Sequence, residues 1–370
     1  MIYLDYSATT PIHPEVLKYY VEISKKFFAN PNSLHDLGQG ANNKIVEASS
    51  RICNIFHTVD HEVIYTSGAS EANNLAIKGV ALKKQNLGKH IITSPYEHSS
   101  VVACFNYLSK NGFEVDVVKT NSFGLVDFEN LASLIRDDTI LVSIGMVNSE
   151  IGFKQPIEEI GVFLKKYPQI TFHSDMTQAI GKIKVDITNV DLISFSAHKF
   201  YGLKGVGALL RKKTIELEPV IHGGRSTTNV RSGTPATPLL LSLEKALSLA
   251  CDSIDLNYEH VKRLSEYLIN ELLQIESVTI NSNKYSIPHI LNLSVEKLEA
   301  HQLQTALAKK EIYVSTQSAC NSSNAYSHSV FRLTGSESRA KSSIRISISS
   351  LTTLNEMNQL VEAIKEEVSK

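Results

Sequence analysis

Residues 191–211 read DLISFSAHKFYGLKGVGALLR. The run 192–196 is apolar almost throughout, and it leads directly into His198 and Lys199, then into glycines at 202, 205 and 207. Hydrophobicity without alternation predicts a β-strand covered on both faces. Another apolar run, GVGALLR at 205–211, follows at once. Toward the N-terminus, EVIYTS (62–67), KHIITS (89–94), TILVSI (139–144) and ITFHSD (170–175) have the same character. Helix-length segments lie between them, among them EANNLAIKGVALKK (71–84), SSVVACFNYLSKN (99–111) and PIEEIGVFLKKY (156–167). Buried strands alternating with helices predict an α/β fold with a wrapped, mostly parallel sheet. After a helical stretch at about 237–275 the pattern changes. SVTIN, HILNLSV, YVSTQS and SIRISIS alternate with AHQLQTALAKK and a terminal helix, TLNEMNQLVEAIKEEV, which predicts a smaller α+β domain beginning near residue 255.

The 370 residues suffice for two domains, and 42% hydrophobic with 20% charged residues is ordinary for a globular protein. A net charge of -1 without long runs of one sign offers nothing to a nucleic-acid backbone or an anionic membrane. The opening MIYLDYSATTPIHPEV has no signal-peptide pattern, and no apolar run approaches membrane-spanning length. The four cysteines are scattered, without metal-ligand or disulfide-framework spacing, so no metal is expected and a reducing cytoplasm suits them. Cys53, Cys104 and Cys251 sit in apolar helical patterns and read as packing residues. Cys320 sits in STQSACNSSNAYS (315–327), among small polar residues that no core would select.

Lys199, at the end of an apolar strand, fits either a solvated loop lysine or an amine that condenses with the aldehyde of pyridoxal phosphate. The second alternative needs a phosphate seat. TSGASEANNLAIKG (66–79) offers one, a strand, then Gly68, Ala69 and Ser70, then a helix N-terminus that favours an anion. It also needs a carboxylate for the pyridine nitrogen. Asp175 in ITFHSDMTQAIG qualifies, with Gln178 close behind, although an aspartate there also serves as an ordinary turn or cap. His98 in SPYEHSSV is either a stacking ring or a helix N-terminal residue.

The order phosphate loop, histidine, aspartate, lysine resembles the cysteine desulfurases of the nitrogen-fixation and iron–sulfur-cluster type, fold-type I pyridoxal-phosphate enzymes of the class V aminotransferase family. The resemblance spans essentially the whole chain, through YLDYSATTP, TSGASEANNLAIKG, EHSS, RDDTILVSI, HSDMTQ, SFSAHKFYG, VRSGT, SAC and SSIRIS. It implies a seven-stranded, mostly parallel sheet in a large domain (15–255) and a small domain made of 1–14 and 256–370. It implies that Lys199 holds the cofactor aldehyde, Asp175 pairs with the pyridine nitrogen, Gln178 meets the phenolic oxygen and His98 stacks on the ring. Ala69, Ser70, Ser196 and His198 would hold the phosphate. Thr234 would reach the phosphate of the other subunit of a homodimer. Arg345 would clamp the substrate carboxylate, a task for a planar bidentate donor. Without the resemblance it reads as an outward-pointing strand arginine. Cys320 would be the nucleophile that takes sulfur from L-cysteine, leaving L-alanine, and passes it as a persulfide to a protein acceptor such as an iron–sulfur scaffold or a tRNA-thiolation enzyme. An exposed loop of small polar residues suits that task.

Three positions depart from the family pattern. VNSE puts Ser149 where relatives carry an asparagine near the cofactor oxygen and substrate carboxylate, with Asn148 the neighbouring amide. GGRSTTN puts Arg225, Thr227 and Thr228 in the loop at the dimer-side entrance, and YGLKG puts Leu203 in place of proline. Alternatives to the desulfurase are a selenocysteine lyase, a related pyridoxal-phosphate lyase or aminotransferase, and a low-activity sulfur relay or regulatory partner that kept the cofactor.

Overall fold

The computed structural model describes residues 1–224, 226–317 and 326–370. Within them the strands are β1 (Ile2–Tyr3), β2 (His61–Thr66), β3 (His90–Thr93), β4 (Glu114–Val117), β5 (Thr139–Ser143), β6 (Thr171–Asp175), β7 (Leu192–Ser196), β8 (Gly207–Lys212), β9 (Val278–Ile280), β10 (Ile290–Val295), β11 (Ile312–Tyr313) and β12 (Ser343–Ser347). Seven of them form one sheet in the order β2-β8-β7-β6-β5-β3-β4. β4, β3, β5, β6 and β7 run parallel, whereas β8 is antiparallel to both β7 and β2. The mostly parallel α/β sheet expected from the apolar runs is present.

Its strands are buried on both faces, and the side chains alternate between two cores. Val142, Ile193 and Leu210 join a core that includes Leu240, Leu243 and Leu247 of the helix Thr237–Asp252. Their neighbours Leu141, Leu192 and Leu209 join the opposite core, with Leu75, Ala76 and Val80 of the helix Ala69–Lys84. That helix is buried almost all round, and its alanines let it lie close to the sheet. β4, the sequence EVDV, escaped the search for apolar runs because it is the sheet edge, exposed at both ends and charged. Charge on an edge strand discourages pairing with another chain.

The remaining strands build a second unit. β9, β10 and β12 form an antiparallel sheet in the order β12-β10-β9, and β1 pairs in parallel with β11. Ile2 and Leu4 from the N-terminus share a core with Val261, Leu293, Ile346 and Leu360. The helical stretch expected at 237–275 is two helices, Thr237–Asp252 and Ile254–Leu272, separated at Ser253. The side chains change cores between Ala250 and Val261.

Phe195 in β7 is fully buried, its ring 6.0 Å from that of Phe56 and 6.2 Å from that of Phe200. Phe195→Ala should therefore cost about 3–5 kcal/mol of stability. Denaturant unfolding followed by circular dichroism checks this through a lowered midpoint.

Candidate active site

A cleft of about 460 Å³ opens where the central strands end at their carboxyl termini. Ligands of open α/β sheets bind at that edge. Asp175 closes β6, and Ser196 closes β7 just before a single turn of 3₁₀ helix, Ala197–Lys199. Ala69, Ser70, His98, Asn148, Ser149 and Asp175 all line the cleft, as do Gln178, Ser196, His198, Lys199 and Arg345. Thr234 does not; it is exposed on another part of the chain. Cys320 and Arg225 lie outside the described residues.

At one end of the cleft the helix Ala69–Lys84 begins after Gly68 without any side-chain cap. Its first N–H groups have no acceptor within the helix. The backbone comes close there because two glycines meet: a Cβ on Gly207 would lie 2.7 Å from the Gly68 Cα and 2.6 Å from the Phe195 carbonyl oxygen. Ser196 and His198 border the same end. Burial first, then Lys199, Lys204 and Lys182, push the His198 pKa down to about 4, so its imidazole is neutral near pH 7. Lys199 also lines the cleft, its Nζ donating to the carbonyls of Ser7 at 2.5 Å and Ala8 at 2.7 Å.

At the other end Asp175 is held from two sides. Its Oδ2 accepts from Asn73 Nδ2 at 2.8 Å and its Oδ1 from the Thr177 N–H at 3.0 Å. Asn73 also donates to Ser100 Oγ at 2.9 Å, and Ser100 Oγ lies 2.8 Å from His98 Nδ1. His98 is therefore both a cleft residue and a helix cap, its Nδ1 accepting from the Ser100 N–H at 3.2 Å. That acceptance leaves the neutral ring's proton on Nε2. The helix N-terminal reading of His98 from sequence is present, on a residue that also lines the cleft.

Three residues were not singled out from sequence. Asn73 looks like any polar helix residue until the fold buries it against Asp175. Glu97 lines the cleft with Oε1 accepting from Ser94 Oγ at 2.5 Å and the Gly145 N–H at 2.9 Å. Lys182 is buried and donates to Gln178 Oε1, while Gln178 Nε2 donates to the Ser7 carbonyl at 2.9 Å. Burial, with Lys199 and Arg345 nearby, pushes the Lys182 pKa well down and favours its neutral amine. Its signal was faint, the first of two lysines in QAIGKIKVD. The amide of Asn148 is taken up by its own turn. Its Oδ1 accepts from the N–H groups of Glu150 and Ile151, and its Nδ2 donates to the Tyr96 carbonyl at 3.3 Å. Ser149 meets Arg345 through its carbonyl, which accepts from Nη1 at 2.9 Å.

The packing thiols behave as expected. Cys104 is buried in a core, Cys53 and Cys251 pack against one, and burial raises all three pKa values, those of Cys104 and Cys251 to about 11. Such thiols carry little thiolate and react poorly.

The donor set suits a ligand with an anion at one end, a basic ring nitrogen at the other and a carbonyl between them. Buried polar atoms of the wall also await a partner: Ser7 Oγ, Glu97 Oε2, Thr177 Oγ1 and Arg345 Nε make no hydrogen bond among the described residues. Residues 2–360 match the class-V aminotransferase family, and the chain belongs to it. It is 38% identical over 374 residues to the cysteine desulfurase IscS of Dictyoglomus turgidum, covering all of this chain and 95% of that one. Among solved structures, a NifS-like protein superimposes with a TM-score of 0.93 at 32% identity, covering 100% of this chain and 99% of the other. The structure of SspA in complex with cysteine matches with a TM-score of 0.83 and 32% identity, covering 95% of this chain and 100% of the other. Within the family the chain belongs with the cysteine desulfurases.

Burial is the largest cause raising the Glu97 pKa, to about 7 from its usual 4.5, with Asp175 adding to it and Ser94, Gly145 and His98 opposing. A carboxyl whose folded pKa is raised binds its proton more tightly in the folded state, so stability is full below about pH 4.5 and declines as the pH passes 7. The loss amounts to roughly 3 kcal/mol for a fully buried group. Unfolding midpoints measured from about pH 5 to about pH 8 should show this decline, and Glu97→Gln should flatten it.

Proposed function

We propose that the protein is a pyridoxal-phosphate-dependent cysteine desulfurase that converts L-cysteine to L-alanine and stores the sulfur as a persulfide on Cys320. The observation that carries this is that Lys199 shares one cleft with an uncapped helix N-terminus, a doubly held Asp175 and Arg345. Bound there, pyridoxal phosphate supplies an aldehyde that takes up amines and a protonated ring that draws electrons from the substrate carbon. The helix start, Ser196 and His198 would hold the phosphate, and Asp175 would keep the ring nitrogen protonated. His98 would stack on the ring in the orientation that its capping role imposes. Gln178, its amide fixed by Lys182, would meet the phenolic oxygen.

Lys199 is the amine that would hold the aldehyde. Released from it by the substrate, Lys199 would move a proton at the substrate α-carbon as general acid and base. The Cys320 thiolate would attack the substrate sulfur, an S–S bond forming as the C–S bond breaks and a proton completing the methyl group of alanine. Arg345 would seat the carboxylate shared by substrate and product. A homodimer is supported by Thr234, exposed and away from its own cleft, as a residue serving a second subunit requires. Apolar side chains exposed near the N-terminus, Phe28, Leu34 and Leu37, offer surface for it. A reducing, cytoplasmic setting is supported by the free thiols of Cys53, Cys104 and Cys251. Among the described residues no helix is long and apolar enough to cross a membrane. The final sulfur acceptor would be another protein, reached by the loop that carries Cys320.

Purified protein given L-cysteine and a reductant should release alanine and sulfide in equal amounts. Lys199→Ala should abolish covalent attachment of the cofactor, checked by borohydride reduction and peptide mapping. Cys320→Ala should keep the cofactor but lose alanine and sulfide together, whereas alanine at positions 53, 104 or 251 should lower only stability. Desulfuration by Cys320→Ala at the parent rate would point instead to a lyase that expels sulfur without a protein nucleophile.

Ser149 gives a separate test. With Oδ1 held by the N–H groups of Glu150 and Ile151 and Nδ2 by the Tyr96 carbonyl, the Asn148 amide does not stand in for the asparagine that the family resemblance implies at 149. A hydrogen bond to a charged group contributes roughly 1–3 kcal/mol, so Ser149→Asn should raise kcat/KM for cysteine about tenfold. Steady-state kinetics check it, and an unchanged value means that the site is built around serine.

A further inference from the structure

Arg345 is the bulkiest of the fully buried side chains, 1% exposed, yet it lines the cleft. Its guanidinium is already engaged. Nη2 donates to Asp5 Oδ1 at 2.6 Å and Nη1 to the Ser149 carbonyl at 2.9 Å, which leaves Nε without a hydrogen-bond partner. Arg345 lines the cleft whereas Asp5 is not among its lining residues, so the guanidinium joins the cleft to a carboxylate outside its wall.

Asp5 is also firmly fixed. The segment around it is stitched to β12 and β11: the Leu4 N–H donates to the Tyr313 carbonyl at 2.9 Å, the Ser347 N–H to the Leu4 carbonyl at 2.8 Å, and the Ser7 N–H to Ser347 Oγ at 2.9 Å. The Asp5 carbonyl accepts from the Ala8 N–H at 2.9 Å and from Tyr3 Oη at 3.1 Å. These bonds anchor the Asp5 backbone beside β12, within reach of the guanidinium. Lys182, a basic group close enough to feel Arg345, brings no negative charge, whereas the Asp5 carboxylate lies 2.6 Å from Nη2.

We propose that Asp5 is a resident counter-ion of Arg345 that sets how tightly the cleft holds a carboxylate. The inference rests on Arg345 being the seat of the substrate carboxylate. With the cleft empty, Asp5 balances a guanidinium that is otherwise buried without an anion, a costly arrangement. With substrate or product present, Asp5 still neutralises part of the charge and loosens the grip. Looseness matters because cysteine and alanine carry the same carboxylate. A tighter clamp would bind both ends of the reaction equally and would not lower the barrier between them, while it would delay the product. Asp5 is thus a positioning residue that acts through Arg345 and favours turnover over retention.

The test compares the parent holoprotein with Asp5→Asn, which removes the charge and keeps the shape. Asp5→Asn should bind L-alanine about tenfold more tightly in calorimetric titration, because the unbalanced guanidinium gains more from an incoming anion. The KM for cysteine should fall with it, and kcat should not rise. Propionate, a carboxylate without an amine, should raise the melting temperature of Asp5→Asn more than that of the parent. A merely structural Asp5 would lower the melting temperature and weaken alanine binding, and unchanged or weaker alanine affinity overturns the proposal. Should Asp5→Asn not fold, Asp5→Glu, which keeps the charge, is titrated instead: alanine affinity at or below the parent's supports the proposal, and tighter binding overturns it. Arg345→Gln separates the layers. Loss of alanine and propionate binding there upholds the carboxylate seat, whereas parental binding removes that seat and the proposal with it.

Discussion

In β5, β7 and β8 neighbouring apolar side chains go to two different cores, β6 adds Phe172 to one of them, and both faces of the sheet are sealed. A sheet covered on both sides leaves only its strand ends for chemistry. Polar groups within the sheet have few partners to choose from: Ser143 Oγ, His173 and Ser194 Oγ form a buried row across β5, β6 and β7, with contacts of 2.8 and 3.0 Å, whereas Thr171 Oγ1 and Ser174 Oγ make no hydrogen bond among the described residues. Burial holds His173 neutral by lowering its pKa to about 4. Beyond this row, at the carboxyl ends, the side chains face the cleft. Asp175, Ser196 and Lys199 are functional candidates because the sheet ends there.

Two sets of contacts then turn a collection of strand ends into one site. Asn73 carries the first, joining Asp175 of β6 to Ser100 and His98 at the start of another helix. It couples the end that would hold a ring nitrogen to the ring expected to stack on it. Asp5 and Arg345 carry the second, across 340 positions of sequence. Through that pair the N-terminal segment, the small antiparallel sheet and the cleft share one buried charge. The same first residues also cover Lys199, whose amine rests on the carbonyls of Ser7 and Ala8.

The buried strands were legible because continuous apolar runs have few other uses, and the cleft residues at their ends were legible because the chemistry asks for particular side chains in a particular order. β4 was not legible, since an edge strand needs no apolar face and carries charge instead. β1 was also missed, because two residues have no periodicity and become a strand only by pairing with β11. Asn73, Glu97 and Lys182 are chemically ordinary in sequence. Burial gives them their properties, and burial depends on residues far along the chain.

By itself the sequence determined the α/β class, the smaller α+β unit, and the residue types that meet at the cleft: a lysine, an aspartate, a histidine, a glycine-led helix start and an arginine. All but the arginine follow from local hydrophobic pattern and from side-chain chemistry, both written residue by residue, while the arginine came from the family resemblance, since strand pattern alone turned it outward. Only the tertiary structure decided that the His98 ring is fixed by its own helix cap, that the Asn148 amide is held by Glu150, Ile151 and Tyr96, and that Arg345 is paired with Asp5. Each of these depends on which atoms are left without water and which partner lies within about 3 Å, and distances of that kind exist only once the chain has folded.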